Sequence, residues 1–445
     1  MNRIDREIIR LSVPTIVSNI TIPMLGICDT AISGHLGSDL FLSAIAVGSV
    51  MLNVVFWIFG FLRGGTTGIT ANALGAGSQR EISKVFYRSL FIALTAGILL
   101  IVFQEPVFRF LWVIAGSGEE IGGYVRDYFT IRIWGSPALL AIFAISGWFV
   151  GMQNTFYPML IAIVTNVINI GSSFILSFSL GFGFNGVAIG TLISNWVGLV
   201  LALVCIVIFL KGRFPVFSLE NIFQGDWKRY FSVNGNLFLR SFFIICVTMG
   251  VTAAGARINT FTLAVNVIVM QFFQFFSFFM DGFAYSGEAM IGLRAGERNF
   301  QMLSRCVKRL LNWSLVTALV FSFIYFIGAE GIASLLTDSG NVVEGVADLT
   351  LWVALIPIVS CWAFIYDGFY IGITDTLQMM WSTFIGGIIF FAILCINYYG
   401  NDVFIAENGN YVIWSAFLSY LGIRGVCLIL AWPRSLRKQE RLQLQ

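Results

Sequence analysis

Charged side chains are scarce in this chain, since Asp, Glu, Lys and Arg together make up only 11% of its 445 residues. A soluble globular protein carries about 25% charged residues. Here 58% of the residues are hydrophobic, and apolar runs of about 18 residues, long enough to cross a bilayer core, recur from end to end. The scarcity of charge excludes a soluble fold and predicts an all-α integral membrane protein, because helices satisfy their own backbone polar groups.

Residues that build metal and redox centres are equally few. The only histidine is His35, and one histidine cannot form a zinc centre. The seven cysteines lie singly, without a CxxC pair, as is typical of buried, reduced packing residues. Neither HExxH nor GxxxxGK[ST] occurs, and a GxGxxG match at 181–186 lies in a short interhelical loop, outside the strand–turn–helix context that the motif requires. We therefore expect no catalytic residue, no metal site and no organic cofactor.

The chain contains an internal repeat with a period of about 220 residues. The matching segments are LGAG at 74–77 with LRAG at 293–296, GMQNT at 151–155 with GITDT at 372–376, and SV at 12–13 with SV at 232–233. A spacing this constant indicates two homologous halves. Secondary transporters are commonly built from two such membrane bundles and bind their substrates near the midplane between them.

Hydrophobic segments predict about twelve transmembrane helices, six in each half. The predicted spans are 8–33, 41–63 (with an extension to 73), 87–112, 123–150, 157–178, 185–210, 229–253, 261–290, 304–328, 345–371, 378–398 and 410–432. An even number of crossings returns the chain to its starting side, so the halves should be parallel six-helix lobes related by pseudo-two-fold symmetry. The expected domains are an N-terminal lobe at 1–210, a cytoplasmic linker at 211–228, a C-terminal lobe at 229–432 and a cytoplasmic basic tail at 433–445.

The placement of Lys and Arg predicts the orientation. Basic residues cluster at 3–10, 80–88, 211–229, 294–309 and 434–441, all on one side of the predicted topology. The opposite loops hold only Arg109, Arg126 and Arg257 among their basic residues. The positive-inside rule then places both termini in the cytoplasm of a multi-pass protein of the cell (inner) membrane. The first apolar run is too long for a removable signal peptide.

Seven ionisable residues fall well inside the predicted spans, where a charge is costly enough to make each one a functional candidate. They are Asp29, Arg132, Arg240, Asp281, Glu288, Asp367 and Arg424.

Asp29 is the strongest of these candidates. It lies deep in the first span, with no Lys or Arg within helical reach. A carboxylate without a charged partner in an apolar medium resists ionisation, which suits a proton-binding group or a ligand of a monovalent cation. Pro23 removes a backbone hydrogen bond six residues earlier and lets the helix bend near the acid. The alternative is a structural pairing with a polar group on another helix.

A second group of polar residues predicts a substrate cavity in the C-terminal half. Asp281 and Glu288 are seven residues apart and share one helix face, and Gln271 and Gln274 precede them in the same segment. Asp367 lies near the cytoplasmic end of its span, where pairing with a helix end or a loop is the alternative. The many phenylalanines around Asp281 could line this cavity or simply face lipid.

The acids differ between the halves. On a 220-residue offset, Asp29 aligns with Met249, Asp281 with Phe61 and Glu288 with Gly68. The halves should therefore share a scaffold while their coupling chemistry is asymmetric.

Several segments together resemble the multidrug and toxic compound extrusion (MATE) family, most closely its DinF-like branch, over essentially the whole chain. They are PMLGICDTAISGHLG at 23–37, DGFAYSGEA at 281–289, DGFYIG at 367–372, NVIN at 166–169 and GVAIGT at 186–191.

The resemblance implies a two-lobe antiporter that exports drugs or metabolites in exchange for H⁺ or Na⁺. It also implies that Asp29 is the cation-coupling acid and that Asn169 and Thr191 assist it. Family members often carry a second aspartate four residues after that asparagine, where this chain has Ser173. One carboxylate instead of two favours H⁺ over Na⁺ as the coupling ion.

The expected function is therefore export of small organic, lipophilic or cationic compounds by alternating access. The expected partners are a small-molecule substrate and membrane lipid, with no nucleic acid, and the expected state is a monomer. A flippase for lipids or lipid-linked precursors from the same superfamily is the main alternative, and an intramembrane enzyme is a weaker one. The 2–3 loop, LGAGSQREISKV, lacks the Asp-Arg signature of the major facilitator superfamily.

Overall fold

The computed structural model describes residues 2–36, 38–115, 118–211, 227–400 and 402–442. Within these ranges every regular element is a helix, so the predicted all-α membrane fold is confirmed.

Among its described residues, the first half of the chain contains nine α-helices. They are α1 (Arg3–Gly34), α2 (Asp39–Ile58), α3 (Phe61–Gly75), α4 (Gln79–Val102), α5 (Gln104–Ala115), α6 (Glu119–Ile133), α7 (Ser136–Gly151), α8 (Phe156–Phe174) and α9 (Phe184–Phe209). A π-helical turn, Ile175–Ser179, continues α8.

The second half contains seven α-helices among its described residues. They are α10 (Trp227–Ile258), α11 (Thr260–Gly296), α12 (Phe300–Leu336), α13 (Gly340–Ala347), α14 (Thr350–Gly372), α15 (Thr376–Gly400) and α16 (Asp402–Leu442).

The helices confirm the predicted number of spans. Eleven stretches of the described chain are long and apolar enough to cross a membrane, and the pair α6–α7, bent by 50°, makes a twelfth. Helices α2 and α3 act together as one span, Leu40–Gly75, which agrees with the predicted extension to 73. The bend within the fourth span was not predicted, because the apolar pattern continues across it.

The predicted third span, 87–112, was wrong in its limits. The structure has α4 at Gln79–Val102 and a separate helix α5 at Gln104–Ala115. The apolar run hides this break, but Pro106 lies in the first turn of α5, where its missing N–H costs no hydrogen bond. In the same way, the predicted tenth span, 345–371, begins inside the separate short helix α13.

The turns of the two halves confirm the repeat and refine its offset. Gln153 and Thr374, which are 221 positions apart, both have a positive φ, of 62° and 59°. Gly77 and Arg298 have the same separation, with φ of 68° and 58°. Arg298 therefore corresponds to Gly77, and the match of LGAG with LRAG is wrong by two residues. The shared letters mislead because Gly296 is still helical in α11, whereas Gly77 follows the end of α3.

Close helix packing repeats with the same offset. A Cβ added to Gly147 of α7 would lie 2.3 Å from the Arg63 carbonyl oxygen of α3. A Cβ added to Gly368 of α14 would likewise lie 2.3 Å from the Ala284 carbonyl oxygen of α11. Small residues allow this backbone approach, which is a main source of helix association in membranes.

The refined offset also changes which residues correspond to the acids. A Cβ added to Gly372 would lie 3.2 Å from the backbone carbonyl oxygen of Glu288, and a Cβ added to Gly151 would lie 2.8 Å from that of Thr67. Glu288 therefore corresponds to Thr67 and not to Gly68. With the same offset, Asp281 aligns with Gly60 instead of Phe61. The conclusion that these acids are not repeated in the N-terminal half is unchanged.

The described chain forms two compact units, and α1 contributes to both. One unit comprises Val13–Tyr230, and the other comprises Met1–Ser12 with Phe231–Gln445. Within the second unit, Ser12 Oγ lies 2.7 Å from Ser286 Oγ of α11. The predicted domain limits at 210 and 229 stay predictions, since residues 212–226 of the linker and 443–445 of the tail lie outside the described residues.

Replacing Gly368 with Ala should destabilise the protein, because the added methyl group must push α14 away from α11. Overpacking of this kind costs about 1–3 kcal/mol. The matched control is Gly331→Ala in α12, where the added Cβ meets nothing within 4 Å and alanine is the better helix former. Thermal unfolding of the detergent-solubilised variants, followed by size-exclusion chromatography, measures the difference. Equal melting temperatures for the two variants would contradict the close contact.

Candidate functional site

Asp29 lies near the end of α1 as a half-buried side chain. Its Oδ1 atom is buried and has no hydrogen-bond partner among the described residues. Its backbone carbonyl accepts a hydrogen bond of 2.5 Å from Ser33 Oγ. Helix α1 continues without a break through Pro14 and Pro23. Asp29 therefore lies on a continuous helix in which the two prolines remove two backbone hydrogen bonds.

Arg132 of α6 is the charged residue that acts on Asp29 electrostatically. In the described part of the chain the two groups form no ion pair within 4.0 Å. Arg132 Nη1 instead donates to the Tyr128 hydroxyl at 2.7 Å, with its guanidinium carbon 5.3 Å from the centre of that ring. The Tyr128 hydroxyl in turn lies 3.0 Å from Ser49 Oγ of α2. The guanidinium is therefore held by Tyr128 and influences Asp29 without neutralising it in a direct pair.

The structure brings together three of the predicted residues on α8 and α9. Asn169 Nδ2 donates to Thr191 Oγ1 at 3.2 Å, and Ser173 Oγ donates to Asn169 Oδ1 at 3.3 Å. Both hydroxyl groups also lie close to the Val187 carbonyl oxygen, at 3.1 Å from Thr191 and 3.4 Å from Ser173. All three side chains are buried. They form one polar cluster inside the N-terminal half, and the role in cation coupling that the resemblance implies for them stays a prediction.

The packing around Ser173 is unusually tight. A Cβ added to Gly190 of α9 would lie 2.4 Å from Ser173 Oγ. Just beyond Ser173, α8 changes to the π-helical turn Ile175–Ser179, a feature that is frequent at functional sites. The apolar sequence of this turn gave no sign of it.

A further polar contact ties α8 to α1. Asn166 Nδ2 donates to Thr21 Oγ1 at 2.8 Å, two residues before Pro23. Asp29 itself forms no hydrogen bond with Asn169, Ser173 or Thr191 in the described part of the chain. The predicted coupling residues thus form two groups, the carboxylate on α1 and the amide–hydroxyl cluster on α8 and α9.

Asp367 of the C-terminal half is paired twice. Its Oδ2 atom accepts hydrogen bonds from Arg240 Nη2 of α10 and from Arg424 Nη2 of α16, the latter at 2.8 Å. Arg424 Nη1 also donates to the Tyr420 hydroxyl at 3.3 Å. As whole residues, backbone included, Asp367 and Arg424 are 4% and 3% exposed. All three charged residues stood out in the sequence as charges within spans, but only the fold shows that they meet.

Burial separates the other predicted cavity residues. Glu288 is 1% exposed, Asp281 and Gln274 are half-buried, and Gln271 is exposed. These levels of exposure do not place Gln271 and Glu288 on the wall of one cavity.

Two cavities, of about 560 Å³ and 640 Å³, lie elsewhere. The first is lined by residues of α5, α6 and α9 that include Glu105, Arg126 and Asp127, and the second by residues of α12 to α13 that include Glu330, Asp338 and Glu344. Neither contains a residue of the predicted coupling site.

Glu105 pairs with two of the three basic residues that were predicted for the outer loops. It accepts hydrogen bonds from Arg109 Nε and Arg126 Nη2, both at 2.9 Å. The hydrogen bond from Arg109, together with the charge of Arg126, lowers the pKa of Glu105 below its usual value. Both arginines thus pair with the same carboxylate, which offsets part of the positive charge that they bring to the outer loops.

Replacing Asp367 with Asn should destabilise the protein strongly. The substitution leaves Arg240 and Arg424 side by side without a counter-charge, and breaking a buried pair in this way costs about 3–5 kcal/mol. Asp338→Asn, at an exposed position between α12 and α13, is the control. We expect a clearly lower melting temperature for the first variant alone, measured in detergent. An unchanged melting temperature would show that Asp367 does not hold the arginines together.

The sequence matches one protein family twice. The family described as MatE matches residues 14–175 and again residues 237–396, in agreement with the internal repeat. Among curated relatives, the DNA damage-inducible protein F of Escherichia coli (strain K12) is 31% identical over 97% of this chain and 93% of its own length. The probable multidrug resistance protein NorM of Acinetobacter baylyi is 24% identical over 85% of this chain and 86% of its own length.

Solved structures show the same fold at lower identity. A MATE protein in the bent conformation has a TM-score of 0.87 at 16% identity, covering 100% of this chain and 98% of that one. An outward-facing multidrug resistance MATE transporter has a TM-score of 0.86 at 17% identity, covering 98% and 97%. Because the family match covers most of the sequence and a 31%-identical relative covers nearly all of it, this chain belongs to the MatE family of multi-pass membrane transporters, which are not enzymes.

Proposed function

We propose that this protein is an antiporter that exports small, lipophilic organic compounds by alternating access in exchange for H⁺, in preference to Na⁺. We further propose that it works as a monomer without an organic cofactor, in the cell (inner) membrane with both termini in the cytoplasm. The observation that carries the proposal is the buried, unpartnered carboxylate oxygen of Asp29 in α1. Relatives described as probable multidrug resistance proteins support the class of cargo.

The surroundings of Asp29 suit reversible protonation. A carboxylate that is partly buried in a span is costly when ionised and unpaired. Arg132 acts on it from a position fixed by Tyr128, so the anion is stabilised without being locked into an ion pair. Proton binding can then change the charge of α1, which is what a coupling group needs to shift the balance between two conformations.

Asp367 lacks this freedom. Its Oδ2 atom accepts from two guanidinium groups, so its negative charge is already balanced by two direct ion pairs. This contrast supports coupling at Asp29 in the N-terminal half, and it agrees with the asymmetry expected from the sequence.

The amide–hydroxyl cluster supports H⁺ over Na⁺. Asn169, Ser173 and Thr191 bring oxygen atoms together but no negative charge, and both hydroxyl groups are already engaged with the Asn169 amide and the Val187 carbonyl. A hard cation prefers carboxylate and carbonyl oxygens that are free to turn toward it. A proton needs only Asp29. A membrane potential of 100 mV supplies ~2.3 kcal/mol for each charge moved.

Asp29→Asn should insert and fold normally but abolish gradient-driven transport, because asparagine cannot exchange a proton. The measurement is uptake into energised proteoliposomes over a panel of lipophilic dyes, with H⁺ and Na⁺ gradients applied separately. Asp338→Asn, an exposed acid outside the spans, is the matched control and should transport like the wild type. Undiminished proton-driven transport by Asp29→Asn would refute the role of Asp29.

Ser173→Asp should strengthen Na⁺ dependence. It places a carboxylate beside Asn169, in addition to the carboxylate of Asp29 on α1. Ser173 packs against Gly190, so the larger side chain also disturbs the packing of α8 on α9. Ser173→Asn has nearly the same size without the charge and separates the two effects. Transport in the same proteoliposomes should respond more to Na⁺ in the Asp variant than in the Asn variant. The same ion preference in both variants would show that this position does not determine ion selectivity.

A further inference from the structure

The group of charges around Asp367 is not neutral. Arg240 of α10 and Arg424 of α16 share one carboxylate oxygen, so two cations meet one anion. Among the described residues, Asp367 is the acid that lies within 4.0 Å of either guanidinium group. The cluster therefore carries an excess of one positive charge within the C-terminal unit.

An excess charge is expensive at this depth of burial. The side chains of Arg424 and Asp367 are 4% and 6% exposed, and the Nε atoms of both arginines are buried without a hydrogen-bond partner among the described residues. A structural ion pair needs one arginine for one carboxylate, so a second arginine in a membrane span calls for another explanation. A bound anion would restore neutrality.

Arg240 is the member that a ligand could reach. Its side chain is 19% exposed, about three times as much as that of Asp367. Asp367 accepts a hydrogen bond from Arg240 and is itself held by Arg424, which fixes a guanidinium group whose planar geometry suits carboxylate, sulfonate or phosphate oxygens.

Aromatic rings near Arg240 indicate what such an anion would be attached to. Phe243 lies three residues after Arg240 on the same helix, a spacing that puts both side chains on one face. Its ring packs on Phe384 of α15 at 5.0 Å between centroids, and Phe384 packs on Trp381 at 5.7 Å. Phe243 and Phe384 are only half-buried. An accessible cation beside accessible rings matches a molecule with one anionic group and an apolar body.

We propose that Arg240, positioned by Asp367 and Arg424, binds the anionic group of an amphipathic organic compound whose apolar part lies against Phe243 and Phe384. The inference rests on the proposed export function only in treating this compound as cargo. An anionic lipid headgroup has the same chemistry as a free amphipathic anion, and the experiment has to separate the two.

Equilibrium binding to the purified, detergent-solubilised full chain tests the site without any ion gradient. The probes share one ring system: 2-naphthoate is anionic, 2-naphthamide is neutral and 2-naphthylmethylamine is cationic. We expect the wild type to bind the naphthoate at least about tenfold more tightly than the amide, and Arg240→Gln to remove this preference. Arg257→Gln, at an exposed position on the same helix, should keep it.

Arg240→Lys guards against a trivial loss of folding, because it keeps the charge and should retain part of the preference if the protein remains monodisperse. Equal binding of all three probes by the wild type, or a preference that survives Arg240→Gln, would overturn the site. Repeating the titration in nanodiscs separates the sources. Competition by phosphatidylglycerol, but not by phosphatidylcholine, identifies a lipid headgroup as the occupant, whereas no competition identifies a free amphipathic anion.

The two proposals can fail independently. Binding by Arg240 is measured without a gradient and does not involve Asp29, so a failed anion site leaves Asp29-dependent transport to be judged separately. In the same way, absent transport leaves the binding preference measurable.

Discussion

The cost of an ionised side chain inside a bilayer is the constraint on which the chemistry of this protein depends. The two halves meet it in different ways. In the N-terminal half, Asp29 has no direct ion pair among the described residues, and Arg132 acts on it electrostatically while its guanidinium group is hydrogen-bonded to Tyr128. In the C-terminal half Asp367 is bound by two arginines at once. The first carboxylate is acted on by one cation without a direct contact, and the second has two cations in contact with it.

This difference is built on a scaffold that the halves share in detail. The turns after α3 and α11 have the same backbone conformation, and Gly147 and Gly368 allow the same close approach of helix backbones. Such contacts let paired helix backbones approach closely, which favours helix association in a membrane. A duplicated scaffold with unduplicated charges supports the proposal that ion coupling belongs to one half and that the other half binds a different ligand.

Much of the fold could be predicted from the sequence because the signals are local. Apolar length predicts the twelve spans, and the repeated motifs predict the two halves. The predictions failed where an apolar run conceals a change of direction, as between α4 and α5 or within the bent pair α6–α7. Hydropathy measures the solvent that a segment prefers, and it does not report where the backbone breaks. The alignment of Gly77 with Gly296 was wrong by two residues for a similar reason. Identical residues in the two halves can lie inside a helix in one half and beyond its end in the other.

By itself, the sequence determined that this chain is a duplicated helical membrane protein with few charges in its spans, and it identified those charges. Through its resemblance to the MATE family, the sequence also singled out Asn169, Ser173 and Thr191. Only the tertiary structure decided which charge meets which partner: Arg132 acts on Asp29 from α6, and Arg240 and Arg424 reach Asp367 from α10 and α16. The reason is physical, because electrostatic interactions depend on distance in space and the partners lie on different helices, far apart along the chain.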